Sequence, residues 1–101
     1  MTASASRDQQ ILQIIRTLRE GEVVSYGDIA ADAGYPRQSR LVGHLLASSP
    51  EDLPWWRVVN SVGRLVPGNE IEQASLLHAE GVVCRDGRVR LARYGRFRAS
   101  V

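Results

Sequence analysis

Cysteine and lysine are scarce in this sequence. It has one cysteine, Cys84, and its thirteen basic residues are all arginines. A single cysteine excludes an internal disulfide framework and fits a reducing compartment, so a cytoplasmic location is expected. With only His44 and His78 besides, a buried zinc centre would have to recruit carboxylates, so neither a metal nor a cofactor is expected. No stretch approaches the roughly 20 apolar residues of a membrane span. The opening MTASASRDQQ lacks a basic start followed by an apolar run, so no secretory signal is expected. The 101 residues suit one domain, 1–101, and are too few for two. A composition of 44% apolar and 24% charged residues is that of a folded soluble protein, and there is no repeat or low-complexity segment.

Charge is unevenly spread. Residues 85–101 hold six arginines against Asp86, a balance of +5, whereas residues 1–84 hold seven arginines against ten acids, a balance of −3; together they give the net +2. A basic end on a slightly acidic body points to contact with phosphates, or to a solvated arginine-rich tail over about 92–101.

Ile11, Leu12, Ile14, Ile15 and Leu18 fall near helical spacing, which predicts a helix over about 6–20 stopped by Gly21. Val23-Val24 reads as a short extended piece. Ser25 and Asp28 have the spacing of a capping box at the head of a second helix, about 26–33. Gly34 ends it, and Pro36 stands where a third helix begins, running to about Ala47. Further on, Val58-Val59 reads as a buried strand and Arg64-Leu65-Val66 as its return. A fourth helix spans about 70–80, and a hairpin turns at Asp86-Gly87 between Val82-Val83-Cys84 and Val89-Arg90-Leu91. The fold class is mainly α with a small β wing.

Two short helices joined by a Gly-containing turn form a helix-turn-helix pattern. Its second helix would present Arg37, Gln38, Ser39, Arg40 and His44 to a DNA groove, although a small helical bundle shows the same periodicity. The sharpest local feature is the tandem Trp55-Trp56 in Pro54-Trp55-Trp56-Arg57. Two indoles can be core anchors, or an aromatic surface beside a cation that holds an unstacked base.

Three ordered segments resemble the DNA-binding domain of O6-alkylguanine-DNA alkyltransferases. They are Gly21-Glu22-Val23-Val24-Ser25-Tyr26-Gly27-Asp28-Ile29-Ala30, Ser39-Arg40-Leu41-Val42-Gly43 and Pro54-Trp55-Trp56-Arg57-Val58-Val59. The likeness runs from about residue 8 to Val83. The enzymes carry Pro-Cys-His-Arg-Val at the third segment, where this chain has Trp55 for the reactive cysteine and Trp56 for the histidine. That exchange is similar to the alkyltransferase-like proteins, a non-enzymatic branch. The fold implied is a winged helix-turn-helix of the alkyltransferase C-terminal-domain type.

An indole has neither the thiolate nor the titrating proton that alkyl transfer needs, so Trp55 cannot accept the alkyl group. Cys84 lies outside the segment and reads as a small buried hydrophobe. Glu80 matches the acid that orients the enzyme's histidine; with Trp56 in that position, a structural role is expected. The resemblance implies a clamp for O6-alkylguanine in duplex DNA that flags the lesion for nucleotide excision repair. Arg40 would enter the base stack. Tyr26 would press on the phosphate of the flipped nucleotide, and Trp55 would floor a pocket completed by Val58, Gly68 and Asn69. Arg37, Gln38, Ser39 and Gly43 would complete the DNA contact, in the minor groove. Family members often carry a basic residue in the loop that here reads Val66-Pro67-Gly68-Asn69; Arg64 is the nearest substitute in sequence. Trp56 is expected to pack inside. A monomer that binds double-stranded DNA and nucleotide excision repair proteins, with no membrane partner, is the implied state. Two other readings stay open here: a winged-helix regulator of undamaged sequence, and an enzyme using Cys84.

Overall fold

In the computed structural model, which describes residues 3–100, four helices pack around a sheet of three short parallel strands, with a separate hairpin as the wing. Helix α1 (Ala3–Arg16) leads into strand β1 (Glu22–Ser25), helix α2 (Tyr26–Asp32) and helix α3 (Ser39–Ser48). A 3-10 turn (Trp55–Arg57) precedes strand β2 (Val58–Val59); helix α4 (Glu70–Ala79), hairpin strands β3 (Val83–Arg85) and β4 (Arg88–Leu91), and strand β5 (Tyr94–Gly95) follow. Val101 and the first two residues lie outside the described residues.

The order of the main sheet is β2-β1-β5, with Val24 opposite Val58 and Glu22 opposite Tyr94. Side chains alternate faces along a strand, and β1 uses both. Val24 and Val58 join Ile11, Leu12, Ile15, Ile29 and Val42 in a core under the first three helices. Val23 and Val59 join Leu65, Leu77, Val82 and Val89 in a second core under α4 and the wing. The sheet is therefore the partition between two small cores.

The Ser25–Asp28 capping box is present. Ser25 Oγ accepts the Asp28 N–H at 3.0 Å, and Asp28 Oδ2 accepts the Ser25 N–H at 2.9 Å. The Asp86-Gly87 hairpin is present too, with φ of 56° and 73° at the two turn residues, as a primed turn requires.

Three expectations need correction. The first helix ends at Arg16 rather than near residue 20: the Leu18 N–H donates to the Ile15 carbonyl at 3.2 Å and the Glu22 N–H to the Arg19 carbonyl at 3.0 Å, so the chain tightens into turns and enters β1, with Arg57 Nη1 donating to the freed Leu18 carbonyl at 2.9 Å. The third helix starts at Ser39 rather than Pro36: the Gln38 N–H donates to the Tyr35 carbonyl, so Arg37 and Gln38 sit on the turn ahead of the helix. Arg64-Leu65-Val66 is not a return strand for Val58-Val59. Those valines pair with β1, while Arg64 bridges to Arg88 in the wing.

The arginine-rich end is folded back onto the body. Strand β5 extends the sheet, and Gly95, at φ 88°, sits so close to β1 that a Cβ there would clash with the Val23 carbonyl oxygen. No helix among the described residues is long and apolar enough to cross a membrane.

Candidate nucleic-acid interface

Pro54 opens the 3-10 turn, with its carbonyl accepting the Arg57 N–H at 3.1 Å, and the tight turn sends the two indoles to different places. Their rings meet edge to face, 6.3 Å apart and 88° inclined, a favourable aromatic geometry. Trp56 packs against the second core, as expected of it. Trp55 instead lines a pocket of about 290 Å³ together with Tyr26, Gly43, Leu46, Ala47, Val66 and Asn69. No charged side chain is among those seven.

Helix α3 supplies one wall. Gly43, Leu46 and Ala47 recur at i, i+3 and i+4, which places them on one face. Tyr26, the first residue of α2, supplies the opposite edge, and its ring lies within 3.9 Å of where a Gly43 Cβ would stand. Burial pushes the Tyr26 hydroxyl above its ordinary pKa, so it is a neutral donor at physiological pH. A second, open groove is lined by Tyr26, Ser39, Arg40 and Gly43. Tyr26 and Gly43 thus belong to both hollows, and Arg40 projects from the exposed start of α3 beside them.

Not every expected site residue is there. Val58 has no exposed surface and faces the first core opposite Val24, so it cannot line the pocket; this corrects the expectation from the sequence. Gly68 is exposed on the loop but outside the pocket lining, which takes Val66 and Asn69 from that loop instead. Arg64 is likewise outside it, so no basic side chain lines the pocket. Arg37 and Gln38 lie just before the helix, next to the groove residues Ser39 and Arg40.

The two residues after Trp55, Trp56 and Arg57, belong to a dense polar knot. Glu80 is 8% exposed, and its carboxylate accepts the Trp56 Nε1–H at 2.7 Å, Arg57 Nη2 at 2.7 Å and the Gly21 N–H at 2.9 Å. Arg57 Nε lies 3.0 Å from Glu80 Oε1 as well. Burial alone would push this carboxyl up, but the bonds from Arg57, Gly21 and Trp56 outweigh it and hold the group below its ordinary pKa. Glu80 therefore ties α4 to the 3-10 turn and to the turn before β1, a structural role.

Gln73 is the residue that the sequence did not flag. It is fully buried on α4, its Nε2 donates to the Trp56 and Val58 carbonyls, and its Oε1 accepts the Val66 N–H at 2.7 Å. One amide thus fixes the pocket-forming turn to the pocket-forming loop. A lone Gln on an amphipathic helix carries no pattern that would reveal this.

Cys84 lies in the wing, in a separate hollow with Leu65, Ile71 and Ala74, and burial raises its thiol above the ordinary pKa. It lines a different hollow from Trp55 and is not activated as a thiolate. Among the described residues no cluster of three or more His, Cys, Asp or Glu side chains could hold a metal.

Comparison with known proteins agrees with this geometry. A family profile described as "6-O-methylguanine DNA methyltransferase, DNA binding domain" matches residues 6–82. The chain is 42% identical over 99 residues to a DNA base-flipping protein of Escherichia coli K12, covering 93% of this chain and 77% of that protein. It is 41% identical over 90 residues to a DNA base-flipping protein of Vibrio parahaemolyticus, covering 84% and 90%. Its fold superposes with a TM-score of 0.75 on Schizosaccharomyces pombe Atl1 in complex with damaged DNA containing O6-carboxymethylguanine, at 26% identity over 92% of this chain and 94% of that one.

Proposed function

The chain belongs to the family of the 6-O-methylguanine DNA methyltransferase DNA-binding domain, and from that premise we propose that it is a non-enzymatic sensor that captures O6-alkylguanine flipped out of duplex DNA. The observation that carries this reading is the place of Trp55. An indole forms the wall of the pocket beside Tyr26 and the helix-turn-helix, where a repair enzyme of this family would need a thiolate. The protein recognises damaged DNA and flips bases without alkyl transfer, as the base-flipping relatives and the Atl1 fold support.

Flipping costs a few kcal/mol of stacking and pairing, less for a base that already pairs poorly, as an alkylated guanine does. Burying alkyl carbons against Trp55, Leu46, Ala47 and Val66 returns about 0.8 kcal/mol per methylene. Tyr26 stands at the edge shared by pocket and groove, where it meets the extruded nucleotide. Arg40 enters the vacated space, since a planar guanidinium stacks on bases and hydrogen-bonds in one plane. Ser39 and Gly43, the small residues beside it, permit the close approach that minor-groove docking requires. Asn69 offers an amide at the pocket lip in place of a basic group.

The sensor acts as a monomeric single domain in the cytoplasm, at the nucleoid in a bacterium, and hands the lesion to nucleotide excision repair. What supports that hand-over is chemical: a protein that holds an alkylated base but cannot dealkylate it serves repair only by passing the site on.

The test is binding to paired duplexes that differ by one O6-methyl group, read through tryptophan fluorescence. Preference for the modified duplex is expected. Equal affinity for both would overturn the lesion reading in favour of a regulator of undamaged sequence.

A further inference from the structure

Asp28 has more partners than a helix cap needs. Its Oδ2 accepts the Ser25 N–H and also Arg96 Nε, both at 2.9 Å, while Oδ1 accepts Arg96 Nη2 at 2.7 Å. A two-point guanidinium–carboxylate pair fixes orientation as well as charge. The Arg96 bonds hold the Asp28 carboxyl below its ordinary pKa against the opposing effect of burial, so the pair is fully charged at neutral pH.

Arg96 is not a loose cation. Its own N–H donates to the Val23 carbonyl at 2.9 Å, directly after Gly95, which is seated against β1 with no room for a side chain. The segment 94–96 therefore grips β1 with its backbone and α2 with its side chain. Arg96 itself lines neither the Trp55 pocket nor the Arg40 groove.

Tyr26 lies between the two halves of the capping box, as the first residue of α2. That helix has seven residues, and a helix so short has little stability of its own. The direction of its first turn is set by the cap and by what holds the cap. Resting on the reading of the pocket as a lesion site, we propose that Arg96 is a positioning residue for nucleotide flipping: through Asp28 it braces the first turn of α2, so that Tyr26 keeps its place at the pocket mouth while a nucleotide is pushed past it.

The sign of the Asp28 charge separates this role from a phosphate contact. Removing a carboxylate from a DNA-binding surface would by electrostatics tighten binding to any duplex. Removing a brace lowers the preference for the lesion instead.

The experiment compares the full chain with Arg96→Gln and Asp28→Asn. Each is titrated with duplexes with and without one O6-methylguanine, at several salt concentrations. A 2-aminopurine next to the lesion reports unstacking by its fluorescence. Both substitutions are expected to cut the lesion preference by roughly three- to tenfold, with a matching loss of 2-aminopurine signal and an unchanged salt slope. Wild-type preference in Arg96→Gln would overturn the proposal. Equal weakening on both duplexes with a shallower slope would do the same, making Arg96 a phosphate contact. Should Asp28→Asn fail to fold, Arg96→Gln decides alone, because it leaves the capping box intact. A wild-type protein without lesion preference would instead sink the reading of the pocket itself.

Discussion

The Trp56 indole N–H donates to Glu80 Oε2 at 2.7 Å, on the carboxylate that Arg57 also holds at 2.7 Å. In the enzymes that the sequence resembles, this acid orients a histidine. Here it is spent on an indole and a guanidinium, and the site's chemistry becomes architecture.

Replacing Glu80 should therefore cost stability rather than chemistry. Glu80→Gln leaves the partly buried Arg57 guanidinium without its counter-charge, a change expected to cost about 3 kcal/mol. The pH dependence follows from the lowered carboxyl pKa. A group depressed on folding contributes stability above its unfolded pKa and loses it as pH falls through the folded one. Urea melts of the wild type should show a loss on acidification below about pH 4.5, and Glu80→Gln should flatten that acid limb. An unaltered limb in the variant would remove Glu80 from the account.

Restoring the sulfur should not restore repair. Trp55→Cys places a thiol in the pocket, but Trp56 has no basic nitrogen to take its proton and Glu80 is already committed. Intact-protein mass after incubation with O6-methylguanine DNA is expected to show no added methyl group, whereas Trp55→Ala should weaken binding to the lesion. A stoichiometric methyl adduct on the introduced thiol would show that the neighbouring groups are not needed.

The arginines divide into two classes. Arg96 is paired with Asp28, Arg98 Nη1 donates to the Gly95 carbonyl, and Arg19 stacks 3.6 Å above Tyr94. These are engaged within the fold. Arg40 is exposed on the groove. Arg40→Ala should lower lesion preference by tenfold or more, on the order of 1.4 kcal/mol. Arg85→Ala in the wing should change it little, and would flatten the salt slope by about 0.9 if that side chain meets a phosphate. Identical behaviour of the two variants on both duplexes would remove the finger role from Arg40.

Gly43 sets stability against function. It lies inside α3, where alanine is worth about 1 kcal/mol more than glycine. A Cβ there would meet Tyr26 no closer than 3.8 Å, an ordinary contact. Gly43→Ala should therefore raise the melting temperature while narrowing both hollows and weakening DNA binding. A variant that melts higher and binds lesion DNA as well as the wild type would show that neither hollow needs the missing methyl.

Much of this is legible from residue types and spacing. The capping box, the Asp86-Gly87 hairpin and the helix-turn-helix are local, and each is written in a few adjacent residues. The exchange of Trp55 for a nucleophile is equally local, and it decides the chemistry. What the sequence hides is long-range. Val58 follows the two tryptophans and so reads as a pocket residue, but strand alternation and pairing with β1 turn it into the core. Val66 reads as part of a strand, yet it reaches the pocket because Gln73, on another element, holds its N–H. Arg96 reads as one more cation in a basic tail; its partner lies 68 positions away, a distance at which no periodicity speaks.

The layout of the main sheet also bears on how the chain is made. Strand β1 leaves the ribosome early, but one of its edges waits for residues 58–59 and the other for residues 94–95. At about 5–20 residues per second, the later neighbour arrives several seconds behind. During that interval the nascent chain shows a bare strand edge to its surroundings, and its four residues keep that adhesive edge short.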